Sequence, residues 1–505
     1  MARSLTNNAA VAVAIESSIG VLPATPLWVN LEPNTLGAYG AEITTVPRNP
    51  ISNTRQARKG SVTDKDSSVE FEGDFTKHHV LTFAEGFVFA QRANSTVHER
   101  IQAGADYEDL LAVNATSAYA HDAITTAIPA GTLVFTRGFA TAANNGLKEV
   151  DASSTTILTI VTAAPTNETP TIASGARLDV CGFRLTDGVW NDTAKTISSA
   201  ATDLSTLGLS AGGMLRVGSD ANALTGGQIV GRIVSVTAAA ITLDKVENLG
   251  ASTLNGGGNV TANDVDLLYG PYIRNVSVSD TDFIERSFQF ELAYNNLQLP
   301  DGTGDEYEYA IGNLCNELTL NLPGQDKGTM SFGFIGTNSD NITTTRKGNT
   351  ANAVVPVQTS GFSTSSDFAR LNLWNTSESD LGTCFKTLTL TLGNEVSPEK
   401  CLGTLGALFM NTGNFTVTLD AELLFTDSNL AQAISDNETV TFDVLMQNDD
   451  GAIALDIPSL TLGGGARSFP VNESIRISVT GSAFQDATLG TSFGITEFPY
   501  FPIVA

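Results

Sequence analysis

The side chains with most chemistry to offer are four histidines and four cysteines, and their spacing withholds most of it. His78 and His79 are adjacent, while His98 and His121 stand alone. Adjacent residues on a helix or strand point in different directions, so the pair is a poor chelate. There is no His-Glu-x-x-His and no spaced Cys/His set of the kind that holds zinc. Cys181, Cys315, Cys384 and Cys401 form no Cys-x-x-Cys motif. A chain of 505 residues builds its own core without staples, so reduced thiols are expected. Gly226 to Gly231 reads GGQIVG but lacks the Lys-Ser or Lys-Thr that completes a phosphate loop, and no Gly-x-Ser-x-Gly is present. Asn263, Asp264 and Asp266 suggest a cation turn, yet the glycine and distal glutamate of a calcium loop do not follow. A glycosidase needs two carboxyls at a fixed separation, which sequence cannot supply. The expectation is a non-enzyme, with no catalytic residue, no metal and no cofactor.

What remains is charge. Arg48, Arg55, Arg58, Lys59 and Lys65 gather five of the chain's 27 basic residues in one short stretch. Directly after it, Glu70, Glu72 and Asp74 alternate with Val69, Phe71, Gly73 and Phe75. A period of two puts the carboxylates on one strand face and the apolar set on the other. The pattern returns late in the chain, where Asp420 and Glu422 follow Thr416 and Thr418 between Phe415, Val417, Leu419 and Ala421. The whole chain carries 54 acidic residues and a formal charge of −27. A surface that grips DNA needs Lys and Arg to displace counterions, so gripping is disfavoured; sliding past is not. Such acidity also serves solubility.

The elements that must position these groups are mostly strands. Forty-six glycines and abundant Thr, Ser, Asn, Val and Ile favour strands and turns, and no apolar run approaches a membrane span. A short strand is expected at Ile43 to Val46, closed by Pro47, with a loop from Arg48 to Lys65. Thr76 is a candidate N-cap for a helix whose apolar face runs from Val80 to Ala90. Residues 96–264 differ: short strand-like bursts, at Thr132–Phe135, Arg177–Phe183, Met214–Val217 and Ile229–Leu243, separate Ala-, Thr- and Gly-rich turns. They read as an inserted small β barrel or sandwich. Alternating strands resume at Val276–Ser279, Phe288–Glu291, Leu318–Pro323 and Met330–Phe334, and Asn338 to Thr350 reads as a linker. The last third then repeats the opening. Strand, Asn49-Pro50-Ile51-Ser52, loop, alternating strand, Phe75-Thr76 and helix are matched by strand, Asn394-Glu395-Val396-Ser397, loop, alternating strand, Phe425-Thr426 and a short helix from Leu430 to Ile434 capped by Thr426 or Asp427. The expected domains are 1–95 with 265–345, interrupted by 96–264, and then 346–505.

The stretches IESSIGVLPATPLWVNLEPNT, TTVPRNPISNTRQARKGSVTDKD and SSVEFEGDFT resemble the N-terminal part of tail tube proteins of long-tailed, non-contractile phages. YEYAIGNLCNELTLNLPGQDKGTMSFGFIGTN resembles their middle, and FKTLTLTLGNEVSPEKCLGTLGALFMNTGNFTVTLDAELLFTDSNLAQAI their C-terminal part. The resemblance implies tandem β-sandwich or barrel domains with flanking helices, six such units closing a ring, and rings stacking into a tube. With two units per chain it implies a trimeric ring of pseudo-sixfold appearance, and with one a hexamer. It also implies tape measure, tail terminator and distal tail proteins as partners, viral DNA passing through without specific binding, and assembly in the host cytoplasm. On that reading Arg48, Arg55, Arg58, Lys59 and Lys65 form an inter-subunit loop, and Glu70, Glu72, Asp74, Asp420 and Glu422 are candidate lumen acids. The alternative is a virion decoration or adhesin protein whose insertion recognises a glycan.

Overall fold

The computed structural model describes residues 9–502 except 25, 52, 54–55, 57, 93–99, 103–107, 115–117, 123, 125–126, 162–164, 171–174, 220–227, 250–262, 295–304, 349–358, 382–383 and 427. The fold is mainly β, with two α-helices among the described residues: α1 (Lys77–Val88) and α2 (Asn429–Ser435). Thr76 caps α1 by accepting from His79 N at 3.2 Å. Ser428, not Thr426, stands at the cap position of α2, and Asp427 lies outside the described residues.

Long strands take part in two layers. Glu306–Pro323 pairs with Ser287–Tyr294 through its first half, and then with Phe385–Gly393 from Glu317 onward. Its other edge pairs with Thr329–Gly336. One layer therefore runs continuously through eight strands: Pro33–Arg48, Arg58–Asp74, Thr329–Gly336, the end of Glu306–Pro323, Phe385–Gly393, Thr416–Leu424, Arg476–Ala483 and the end of Gly451–Ser468. Against it lie Ala9–Ile15 with Ser287–Tyr294, and Phe368–Trp374 with Thr439–Asn448.

The two halves of this arrangement repeat the same pairings. Aligning Phe75 with Phe425 superposes Phe71↔Phe332 on Ala421↔Val479, and Asp74↔Thr329 on Leu424↔Arg476. The back strands agree too: Phe290↔Ala310 matches Phe442↔Ile457, each just after a β-bulge. The cores filling these frames differ. The first half stacks Phe71, Phe83, Phe290, Phe332 and Phe334, with Phe71 and Phe332 4.8 Å apart. Offset and edge contacts of this kind add about 0.5–1.5 kcal/mol per pair beyond burial. The second half places Ala421, Val479 and Gly481 at the matching positions, and Leu460 fills the space over Gly481. Different side chains can fill matching frames without changing the registers.

Three expectations are corrected. Pro33–Arg48 and Arg58–Asp74 form one long antiparallel ribbon, so Arg48 and residues Arg58 to Lys65 are strand rather than loop. Pro47 sits in an edge strand, where its missing N–H costs no ladder bond. Val276–Ser279 is not a strand; Val278 is exposed in a turn. Asn338–Lys347 is folded, not a linker: Thr343 bridges Tyr307, and Arg346 grips the buried Glu291 at 2.7 Å.

The strands from Arg100 to Leu268 form a separate sheet that closes twice on itself. Arg177–Asn191 belongs to both closures, one around Leu185, Trp190, Leu215 and Leu267, the other around Val113, Tyr119, Val134 and Leu158. The unit docks on the second half through Met214, Val230 and Leu249 against Leu445, Ala452 and Phe498. Buried ion pairs accompany the contact. Arg232 bridges Asp244 (2.6 Å) and Asp456 (3.4 Å), and Arg370 holds Asp443 at 2.5 Å while donating to Val230 O. Lys77, at the start of α1, pairs with Glu497 at 3.1 Å, and both are nearly solvent-free. The Asp450 carbonyl accepts from Lys77 and from Arg137, tying α1, the separate sheet and the second half at one point.

Candidate functional site

The six inner strands of the continuous layer bury alternate residues, such as Val69, Phe71, Leu318, Leu320, Leu390, Leu419 and Val479, and expose the others; the register carries the same faces onto the outer strands Pro33–Arg48 and the end of Gly451–Ser468. The exposed set is therefore one face, built across eight strands. Its rows run along the hydrogen-bonding direction. Thr35, Glu72, Ser331, Thr319, Thr391, Thr418, Ser482 and Thr461 are successive register partners, seven hydroxyls and one carboxylate. The next row, Asp74, Thr329, Asn321, Thr389, Asp420 and Thr480, is equally polar. Short hydroxyl side chains suit a pleated exposed surface and form cross-strand contacts, as between Thr319 and Thr391 at 3.5 Å.

All five acids expected on an exposed strand face lie on this one. They do not share one state. Asp74 pairs with Lys327 at 2.7 Å and accepts from Asn34. Those partners hold its carboxyl below the usual range although burial opposes them. Glu422 pairs with Arg476 at 3.2 Å, and Arg476 also grips Glu473. Glu70, Glu72 and Asp420 make no ion pair among the described residues. A sixth acid, Glu317, stands in the middle of the face between Gly393 and Gly333, with Glu70 beyond. Its parity with Leu318, Leu320 and Leu322 already put it opposite the core, but two-sided pairing of its strand was needed to place it beside Glu70. Of the cations at this face, Lys327, Lys386 and Arg476 stand at one rim, where the strands ending at Asp74, Pro323 and Leu424 stop, and Lys400 stands at the other end against Asp64 and Asp66.

The basic cluster is split by the structure. Arg48 and Arg58 are register partners at the far end of the ribbon, next to the exposed Lys59. Arg55 lies outside the described residues. Lys65 is turned back onto its own chain, donating to Ser339 O at 2.5 Å. The ribbon beyond Glu42↔Asp66 exposes both faces, with Ile43, Val46 and Val62 about half accessible. At roughly 3.3 Å per residue it extends about 20 Å past the opposite rim. Lys400, from the loop after Phe385–Gly393, binds Asp64 (2.8 Å) and Asp66 (2.5 Å) at the ribbon's base.

Among the described residues no three His, Cys, Asp or Glu side chains cluster to hold a metal. His79 caps the strand-to-helix corner, its Nδ1 3.0 Å from Asp74 O, and His121 is buried. Cys181 and Cys315 are buried, which pushes both thiols up, and Cys384 and Cys401 are exposed; all four are free.

The arrangement is a polar sheet face with open ends, not a pocket. Residues 6–483 match the model of the phage tail tube protein family. The chain belongs to that family. No curated protein matches it. A tail tube chain is a structural component of the virion tail, and the geometry of the polar face is read below in that light.

Proposed function

We propose that the chain forms the rings of the tail tube of a long-tailed, non-contractile phage, with the polar face of the eight-stranded layer turned to the lumen. The carrying observation is that layer: continuous through both halves, apolar on one side, and hydroxyl- and carboxylate-lined on the other. The matched registers of the two halves support a tandem duplication, first unit 1–95 with 265–345 and second unit 346–505. Two units per chain favour three copies per ring, and closed cyclic assembly disposes of exposed strand edges. Three chains of eight strands make a barrel of twenty-four. Strands about 4.8 Å apart and tilted by about 40° then give a backbone diameter of roughly 45–50 Å, wide enough for a nucleic-acid duplex.

Such a wall transports without gripping. Gripping requires cations that displace phosphate counterions. Here the cations stand at the two ends of the face, where Lys327, Arg476 and Lys400 already have carboxylate partners. Glu70, Glu72, Glu317 and Asp420 repel a polyanion only within about 8 Å, the screening length at physiological salt. DNA is kept off the wall and meets little barrier along the axis. The role is structural rather than catalytic.

The ribbon bearing Arg48, Arg58 and Lys59 projects along the strand direction past one rim, which suits contact with the ring stacked above. At the opposite rim it would meet Asp74, Glu422 and Glu473, which would exchange their present partners Lys327 and Arg476 for it. Charge pairing of that kind sets register and speeds docking more than it adds affinity. The unit formed by residues 100–268 docks on the layer behind the polar face, which supports a place for it on the tube exterior. Tape measure, terminator and distal tail proteins would complete the tail, assembled in the host cytoplasm.

Electron microscopy of the purified chain tests this reading. Hollow rings or tubes with threefold symmetry and three outward lobes are expected. Discrete single copies at every concentration would refute it.

A further inference from the structure

The strand Gly451–Ser468 ends with an open edge, and the strand Pro33–Arg48 begins with one. Residues 462–468 pair with Arg476–Ala483 on one side and, among the described residues, with no strand on the other. Among the described residues Pro33–Arg48 pairs only with Arg58–Asp74. The chain also contains a filled version of the same junction. In the first half, Glu317 to Pro323 pairs on its second side with Phe385–Gly393, in the register Glu317↔Gly393, Thr319↔Thr391 and Leu322↔Leu388.

The matched registers convert one junction into the other. Glu317 and Gly463 face Gly333 and Thr480, which face Glu70 and Asp420, five residues before Phe75 and Phe425 respectively. Gly393 and Glu42 face Thr416 and Asp66, nine residues before the same two phenylalanines. Glu317 thus corresponds to Gly463, and Gly393 to Glu42. By the same steps Leu322 and Leu388 correspond to Phe469 and Leu36.

We infer that the edge 463–469 of one copy pairs antiparallel with the edge 36–42 of the next, in the register Gly463↔Glu42 and Phe469↔Leu36. The inference rests on the ring reading above and names the surfaces that close the ring. Two observations support it beyond topology. Leu322 and Leu388 are 3% and 2% exposed in the filled junction, whereas Phe469 and Leu36 are 70% and 38% exposed, as an unmade junction requires. On the polar face, the filled junction sets a glutamate beside a glycine. The open one sets a glycine beside a glutamate, so each junction carries one carboxylate and neither crowds two. Both edges are open ladders of N–H and C=O groups, and strand addition satisfies them. The occupant of each edge is a second copy of this chain, because each lacks what the other supplies.

The test is a cysteine pair in the full chain, L36C/F469C, with Cys384 and Cys401 changed to serine. Mild oxidation should give a covalent ladder that ends at a closed ring of three chains. The offset pair L36C/V471C should give far less. In parallel, amide exchange on the unsubstituted protein should slow at 36–42 and 463–469 on assembly. Rings that form with neither cross-link nor added protection would overturn the edge pairing and leave the ring reading standing. Failure to form rings at all would remove the ring reading itself.

Discussion

Replacing the unpaired acids of the polar face with lysine, as E70K/E317K/D420K, should turn a wall that DNA slides past into one that holds it. None of the three has an ion-pair partner among the described residues, so each change acts on the face and not on an internal bridge. The side chains point away from the core, so the cost to folding is that of surface substitution, within about 0.5 kcal/mol each. Three lysines per chain place nine in a three-copy ring. If six of them each meet a phosphate, the logarithmic salt slope is about −5, and affinity falls roughly a thousandfold between 50 and 200 mM salt. The assay is retention of a short labelled duplex by assembled tubes across that salt range. The unsubstituted protein and a neutral control, E70Q/E317Q/D420Q, should retain none. Virions carrying the lysine variant should eject their genomes slowly at low salt and recover as salt rises. Intact lysine-variant tubes that retain no duplex at 50 mM salt would show that this face does not line the passage.

Other expectations follow from packing and burial. Gly86 lets α1 lie against the sheet: an added Cβ would stand 2.6 Å from Phe288 Cε2 and 2.7 Å from Cys315 Sγ. G86A gains about 1 kcal/mol of helix propensity but overpacks by up to about 3, so urea unfolding should show a net loss of up to about 2 kcal/mol. Removing one member of the buried Lys77–Glu497 pair, as in K77M, should cost about 3–5 kcal/mol, and K77M/E497L should recover much of it, read by the same unfolding curve. Burial raises the Asp456 carboxyl from 3.8 to about 7 against the pull of Arg232. A carboxyl raised in the fold stabilises it fully below its unfolded pKa, and that contribution is lost as pH rises through about 7. The melting temperature of D456N relative to the parent should therefore increase between pH 5 and pH 8; a flat difference would refute the assignment.

Much of this was legible in the residues. The period of two around Glu70, Glu72 and Asp74, and again around Asp420 and Glu422, put those acids opposite the core, because side chains alternate on any pleated strand. The change of period after Thr76 announced α1. The ribbon is hidden in the sequence because Pro47 and the surrounding polar residues look like a loop; an edge strand with both faces in solvent has no apolar alternation to reveal it. Lys65 was grouped with Arg48 and Arg58 by sequence proximity, although register turns it toward Ser339.

By itself the sequence determined the strand-rich class, the two matched stretches, the faces of individual strands and the excess of negative charge, all of which depend on local alternation and composition. Tertiary structure alone decided that eight strands from two halves share one sheet, that Glu317 joins Glu70 on its open face, and that the separate sheet of residues 100–268 packs on the second half. Those outcomes rest on hydrogen bonds between residues far apart in the chain, whose partners no local pattern specifies.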